Sequence, residues 1–144
     1  MHTVRDILAQ KPQRSVVSIS ENAAVVDAAR LMNEHHVGSL VVTRGERVIG
    51  IFTERDILTR VVAPERAPAA VRVADVMTAP VACCALSTTR DECRSAMRHK
   101  RVRHLPVVED DQLVGMISIG DLLADAEAEQ AETIRWLHDY LYGP

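Results

Sequence analysis

Apolar runs and polar turns follow one another in the same order twice along this chain. Ser39-Leu40-Val41-Val42 and Leu105-Pro106-Val107-Val108 are nearly unbroken apolar stretches, the pattern of strands buried on both faces. Polar turns at Arg44–Arg47 and Glu109–Gln112 lead into Val48–Phe52 and Leu113–Ile117, close enough to pair as hairpins. Ahead of each hairpin the pattern predicts a short strand (Val16–Ile19; Val81–Ala85) and then a helix. In the first copy Val25, Ala28, Ala29 and Met32 stand at helical intervals. Behind each hairpin a second helix is expected to begin just after Thr53 or Ser118 and to end near Val62 or Ala124. Short leading segments, Val4–Leu8 and Val73–Met77, precede both copies.

The two copies are in register. Val16 matches Val81, Met32 matches Met97, Val37 matches Val102, Leu40 matches Leu105, Val42 matches Val107 and Leu58 matches Leu123, all at an offset of 65 residues. The same offset lays Gly50-Ile51-Phe52-Thr53-Glu54-Arg55-Asp56 over Gly115-Met116-Ile117-Ser118-Ile119-Gly120-Asp121. In the leading segments the offset is 69, pairing Val4 with Val73 and Asp6 with Asp75. The expected fold class is α/β, of the α+β type: two β-α-β-β-α repeats at 3–62 and 72–124, a linker at 63–71, and a C-terminal helical tail at 125–144. The linker is Pro/Ala-rich and should be exposed. Either repeat alone has too little core for comfortable independent stability, so the two are expected to pack through their sheets as a pseudo-symmetric pair enclosing a cleft.

Local chemistry refines this outline. Thr89-Arg90-Asp91-Glu92 has the form of a capping box, whereas the matching Ala24 cannot cap, so the first helix must find its cap elsewhere. His35 and His36 read as a helix end, and Arg98 and Lys100 suit the negative C-terminus of the second copy's helix. Pro106 lacks a ladder donor and predicts an edge position or a non-bonding register. Thr53-x-x-Asp56 and Ser118-x-x-Asp121 are plausible helix caps; their recurrence in register favours a ligand role, and the two roles are compatible. In the tail, Ile134, Leu137 and Leu141 share one helical face and Trp136 and Tyr140 form an i, i+4 pair. Such a tail needs a surface to cover, its own domain or a second subunit.

Composition excludes several function classes. A formal net charge of −3 and a pI near 6.1 weigh against general nucleic-acid binding. No apolar run approaches membrane-spanning length, and the polar, charged start does not resemble a signal peptide. Cys83, Cys84 and Cys93 are odd in number, favouring reduced thiols in a cytoplasmic setting over a disulfide framework. Cys83 and Cys84 read as small buried strand residues and Cys93 as a helix core position. No metal-ligand spacing occurs, so no metal is expected. GxSxG, Walker, GxGxxG and HExxH motifs are absent from the sequence, so no enzyme activity is expected.

The tandem β-α-β-β-α order and the duplicated Gly-h-h-Thr/Ser-x-x-Asp endings resemble a pair of CBS domains, a Bateman module. Val102-Arg103-His104-Leu105-Pro106-Val107-Val108 also resembles that family's second strand. With its helical tail, the whole is similar to small stand-alone bacterial CBS-pair proteins. The resemblance implies a regulatory module that binds AMP, ADP, ATP or an NAD-type dinucleotide as a regulatory ligand, with no required cofactor. It implies that Thr53 and Asp56, and Ser118 and Asp121, face clefts between the repeats, each aspartate accepting from ribose hydroxyls. A carboxylate can serve two vicinal hydroxyls at once, and ionised acceptors form the stronger bonds. Adenine contacts are implied at Thr3, Val37 and Gly38 for one site and at Val102 for the other.

Phosphate requires positive charge, and Arg98–His104 is the one concentrated basic run. By the same resemblance Arg103 and His104 approach phosphate, while copy one has uncharged Gly38 and Ser39 at those places. Inequivalent sites follow: the Asp121 site with the firmer phosphate grip, the Asp56 site relying on Arg55. The expected partners are a nucleotide and a second copy of the chain. The alternative is an interaction protein that docks a partner through its C-terminal helix, its clefts vestigial.

Overall fold

The computed structural model describes residues 2–11 and 16–143. In chain order it contains α1 (Val4–Gln10), β1 (Ser18–Ser20), α2 (Val25–His35), β2 (Ser39–Arg44) and β3 (Arg47–Thr53). Next come α3 (Glu54–Ile57), which widens into π-type turns over Leu58–Val62, and α4 (Val73–Val76). The second copy supplies α5 (Arg90–Lys100), β4 (His104–Glu109), β5 (Gln112–Ser118) and α6 (Ile119–Tyr142). The result is the mixed α/β, two-repeat fold that the sequence pattern implies.

Both hairpins form, and they match down to their irregularity. Val42 pairs with Gly50 and Val107 with Gly115, and in both hairpins the register shifts immediately afterwards, between Val42 and Thr43 and between Val107 and Val108. An extra residue at the same place in each copy bends both hairpins alike. β3 faces β5 where the two sheets meet.

The sheets differ at their outer edge. β1 pairs in parallel with β2 over Ser18–Ser20, somewhat later than the Val16–Ile19 expected, and completes a three-stranded sheet. The strand expected at Val81–Ala85 is reduced to a single bridge, Cys84 with Val107. Pro106 accounts for the loss. Cys84 N–H donates to Pro106 O at 2.9 Å and Val108 N–H to Cys84 O at 2.9 Å. The next rung would need an amide at 106, where proline has none; the matching Val41 N–H does donate, to Val17 O at 3.1 Å. Cys83 is therefore exposed and Cys84 half-buried rather than both lying in a buried strand, while Cys93 is fully buried as expected.

The leading segments cross over. Val4 and Ile7 of α1 are buried with Cys93, Met97, Leu105, Val107, Ile117 and Leu122, in the core of the second repeat. Reciprocally, Val71, Val73 and Val76 complete the core built by Val25, Met32, Leu40, Val42 and Phe52 of the first. Backbone bonds repeat the exchange: Thr3 bridges Thr89, and Arg72 bridges Ala24. The cap missing at Ala24 comes from this crossing, since Val25 N–H donates to Val71 O and Val26 N–H to Pro68 O.

Helix ends obey the sequence signals. α2 ends at His35 with His36 in the left-handed conformation, and α5 carries the expected Thr89–Glu92 capping box. The linker 63–70 is exposed. At the C-terminus the helix expected to stop near Ala124 runs unbroken to Tyr142. Residues 124–133 contain no proline or glycine, so nothing in the backbone interrupts it. The apolar tail residues stay uncovered: Ile134 is 67% exposed, Trp136 63% and Tyr140 75%.

Candidate functional site

Ser118 and Asp121 form the N-terminal cap of α6. Asp121 N–H donates to Ser118 Oγ at 3.1 Å, and Ser118 N–H donates to Asp121 Oδ2 at 2.9 Å. Thr53 and Asp56 repeat the arrangement at α3, at 3.2 and 3.0 Å. The capping function is thus present at both motifs. What surrounds the two carboxylates is not alike.

Asp121 opens onto a cleft of about 830 Å³ between the repeats. Val16, Val17, Val37, Gly38 and Ser39 line one side, and His104, Val114–Met116 and Ser118 the other. Lys11, at the end of α1, reaches in to place Nζ 2.8 Å from Asp121 Oδ2 and 3.1 Å from Met116 O. Burial pushes the Asp121 carboxyl up, but the Lys11 ammonium and the Ser118 amide outweigh it and hold the group below its ordinary range. His104 is lowered as well: burial, aided by the Lys11 charge, takes it below its usual 6.5. Burial thus works against the charged imidazole and favours its neutral, hydrogen-bonding form.

Asp56 is closed off. Its carboxylate is buried and accepts from Thr78 Oγ1 at 3.1 Å, with Arg60 Nε at 3.8 Å. Thr78 is fixed by two backbone bonds to Ile51, at 3.0 and 2.9 Å. Beside it lies a smaller pocket of about 170 Å³ that includes Ile51, Thr78, Val81, Lys100, Val102 and His104 in its lining.

Of the residues singled out from sequence, Ser118, Asp121, Val37, Gly38 and His104 meet in the larger cleft, and Val102 lines the smaller pocket with His104. Thr53 and Asp56 line neither cavity. Arg55 and Arg103 are exposed and outside both; the Arg103 contribution is its carbonyl, which accepts from Ile119 N–H at 2.9 Å. Thr3 is committed to its own helix start, its N–H donating to Asp6 Oδ2 at 3.0 Å, and to the bridge with Thr89. Sequence reasoning missed Lys11. One signal was available: the chain has only two lysines, Lys11 and Lys100, and each lines one of the cavities.

A further charged cluster ties the N-terminal segment to α6. His2 Nδ1 lies 2.8 Å from Asp125 Oδ1, and Arg90 Nη1 donates to Asp125 Oδ2 at 2.8 Å while also meeting Glu129. His2, Asp125 and Glu129 are close enough to suit a metal ion. The Arg90 guanidinium already pairs with both carboxylates, and its positive charge disfavours adding a divalent cation beside it.

Paired repeats that exchange leading segments and cap helices with Thr/Ser-x-x-Asp, one cap opening onto an inter-repeat cleft, define a two-module architecture. The CBS domain family model matches residues 4–63 and again 73–127, and the chain belongs to that family. It is 32% identical over 149 aligned residues to a mitochondrial CBS domain-containing protein, CBSX3, of Arabidopsis thaliana, covering 98% of this chain and 72% of that protein. A structure of a protein with CBS domains from Burkholderia ambifaria MC40-6 superposes with a TM-score of 0.82 at 43% identity, covering 89% of this chain and 96% of that one. A hexameric CBS-CP12 protein from bloom-forming cyanobacteria matches with a TM-score of 0.73 at 26% identity, over 98% of this chain and 89% of that one. The protein is a CBS-pair regulatory module, and CBS domains generally bind adenosine ligands. No helix among the described residues is long and apolar enough to cross a membrane.

Proposed function

We propose that the protein senses an adenine nucleotide in the cleft that holds Ser118 and Asp121 and transmits occupancy through the packing of its repeats. The observation that carries this reading is the opening of Asp121 onto a cleft of about 830 Å³ walled by both repeats. A ligand there touches Val37–Ser39 of one repeat and Ser118–Asp121 of the other, so binding energy bears directly on their relative position. Asp121 supplies the ribose acceptor, Val37 and Gly38 the adenine wall, and His104 a neutral polar contact. At the Asp56 half, nucleotide access requires Thr78 to leave the carboxylate, so Thr53, Arg55, Asp56 and Val102 form the weaker site.

The exposed Ile134, Trp136, Leu137, Tyr140 and Leu141 of α6 support a homodimer built on this helix, in a cytoplasmic setting compatible with three free thiols. The same surface supports a second reading, in which α6 docks a different protein. Calorimetric titration of nucleotide-stripped protein with AMP, ADP, ATP and NAD tests the first reading. Saturable binding, accompanied by release of an adenine nucleotide from freshly purified, denatured protein, is the expected result. No heat at millimolar ligand sinks it.

A further inference from the structure

We propose that Lys11 is a ligand-recognition residue that changes partner on binding, neutralising Asp121 in the free protein and passing to a ligand phosphate when ribose takes the carboxylate. This rests on the reading of the Asp121 cleft as an adenine-nucleotide site.

The geometry supplies the reason for an exchange. Both protein donors to Asp121, the Ser118 amide and the Lys11 ammonium, converge on Oδ2. A vicinal diol engages a carboxylate best through both oxygens, so it competes with the lysine for one of them. The ammonium cannot be left with Met116 O alone, because a part-buried charge held by one neutral acceptor is poorly compensated. A phosphate in the same cleft resolves this. The lysine stem has the freedom to swing, whereas its Cα is held at the end of α1, which Val4 and Ile7 anchor in the second core. Among the described residues lining the cleft, Lys11 is the one permanent cation: Arg103 lies outside, and burial works against the charged form of His104. The cleft therefore favours a phosphorylated nucleoside over the free nucleoside, and Lys11 contributes to that preference.

Calorimetry with adenosine and with adenosine 5′-monophosphate, on wild type, Lys11→Met and Lys11→Arg, separates the possibilities. Lys11→Met keeps the stem and removes the charge. Adenosine is expected to bind it roughly two- to fivefold more tightly, because no ion pair must be broken. The preference for the monophosphate over adenosine is expected to fall by about tenfold or more, the scale of a lost charge-assisted hydrogen bond. Lys11→Arg should retain most of that preference, and matched thermal melts exclude misfolding as the cause. If wild type binds both ligands but Lys11→Met leaves the preference unchanged, or weakens adenosine, the exchange is wrong. If no variant and no wild type binds either ligand, the cleft reading fails, and the exchange with it.

Discussion

Thr78 Oγ1 donates to Asp56 Oδ1 at 3.1 Å, whereas the pseudo-symmetric Asp121 is met by the ammonium of Lys11 at 2.8 Å. The hydroxyl sits on a segment bonded twice to Ile51, whereas the ammonium ends a long side chain with several rotatable bonds. The same motif is thus closed over by Thr78 in one repeat and opens onto the cleft in the other.

Exchanging each aspartate for alanine should separate these roles. Asp56→Ala strands the Thr78 hydroxyl and the Thr53 amide and is expected to cost about 1–3 kcal/mol of stability. Asp121→Ala is expected to cost about 1 kcal/mol or less, since its surroundings are wetter, but to weaken nucleotide binding. Urea unfolding and calorimetry on both variants provide the check. A drop in nucleotide stoichiometry for Asp56→Ala without loss of stability contradicts the closed state of that half.

The two matched glycines should tolerate a methyl group differently. A Cβ at Gly50 would lie 2.8 Å from Met77 Sδ and 2.9 Å from the backbone oxygen of Thr78. At Gly115 the nearest atom is Leu8 Cδ1 at 3.0 Å, the far end of a side chain that can turn away. Gly50→Ala is expected to destabilise by about 1–3 kcal/mol and Gly115→Ala by clearly less. Equal midpoints in chemical unfolding would contradict the tight packing of Met77 and Thr78 on β3.

The His2 cluster predicts a pH dependence with a definite sign. The bond to Asp125 raises the His2 imidazole above its ordinary 6.5, against partial burial and the opposing Arg90 charge. The stabilisation it contributes is fully present below pH 6.5 and is lost as pH rises through the higher folded value. Burial pushes Asp125 up, but His2 and Arg90 prevail and hold it below 3.8, so its own contribution disappears only as pH falls below that value. Melting temperatures of wild type and His2→Gln should converge from mildly acidic to alkaline pH, by a few degrees at most because His2 is partly exposed. A constant offset across that range would show that His2 acts without its charge.

Removing residues 133–143 tests α6 as the self-association surface. Every side chain from 131 to 142 is exposed, so the two cores lose nothing and the melting transition is expected to stay in place. Sedimentation velocity should show the full chain as a dimer and the shortened one as a monomer. A full-length monomer at high concentration assigns the helix to another partner.

The repeat made most of the fold legible, because in-register apolar runs, turns and caps all pointed to the same elements. What escaped were effects of the third dimension on single residues. Pro106 was recognised as lacking a donor, yet its cost fell on the neighbouring segment, where Cys83 and Cys84 lost their strand. Ala24 announced a missing cap, but the carbonyls of Val71 and Pro68 that supply it stand more than forty residues away in sequence. At the cleft, Ser118, Asp121, Val37, Gly38 and His104 were anticipated through the motif and its family likeness. Arg103 stands out because charge clustering is visible in sequence, whereas the reach of Lys11 from the end of α1 is not.

The crossing of the leading segments also gives the two look-alike halves different histories. Val73 and Val76 follow the first repeat directly, so that core can close while the chain is still being synthesised. Val4 and Ile7 precede Leu105, Ile117 and Leu122, which bury them, by roughly a hundred residues. The second core therefore closes only when its own hairpin has been made and meets the leading segment that came well before it. The first repeat's leading segment finds its place later than the repeat it precedes, and the open cleft, whose walls include Leu8 and Lys11, is completed at that closing step.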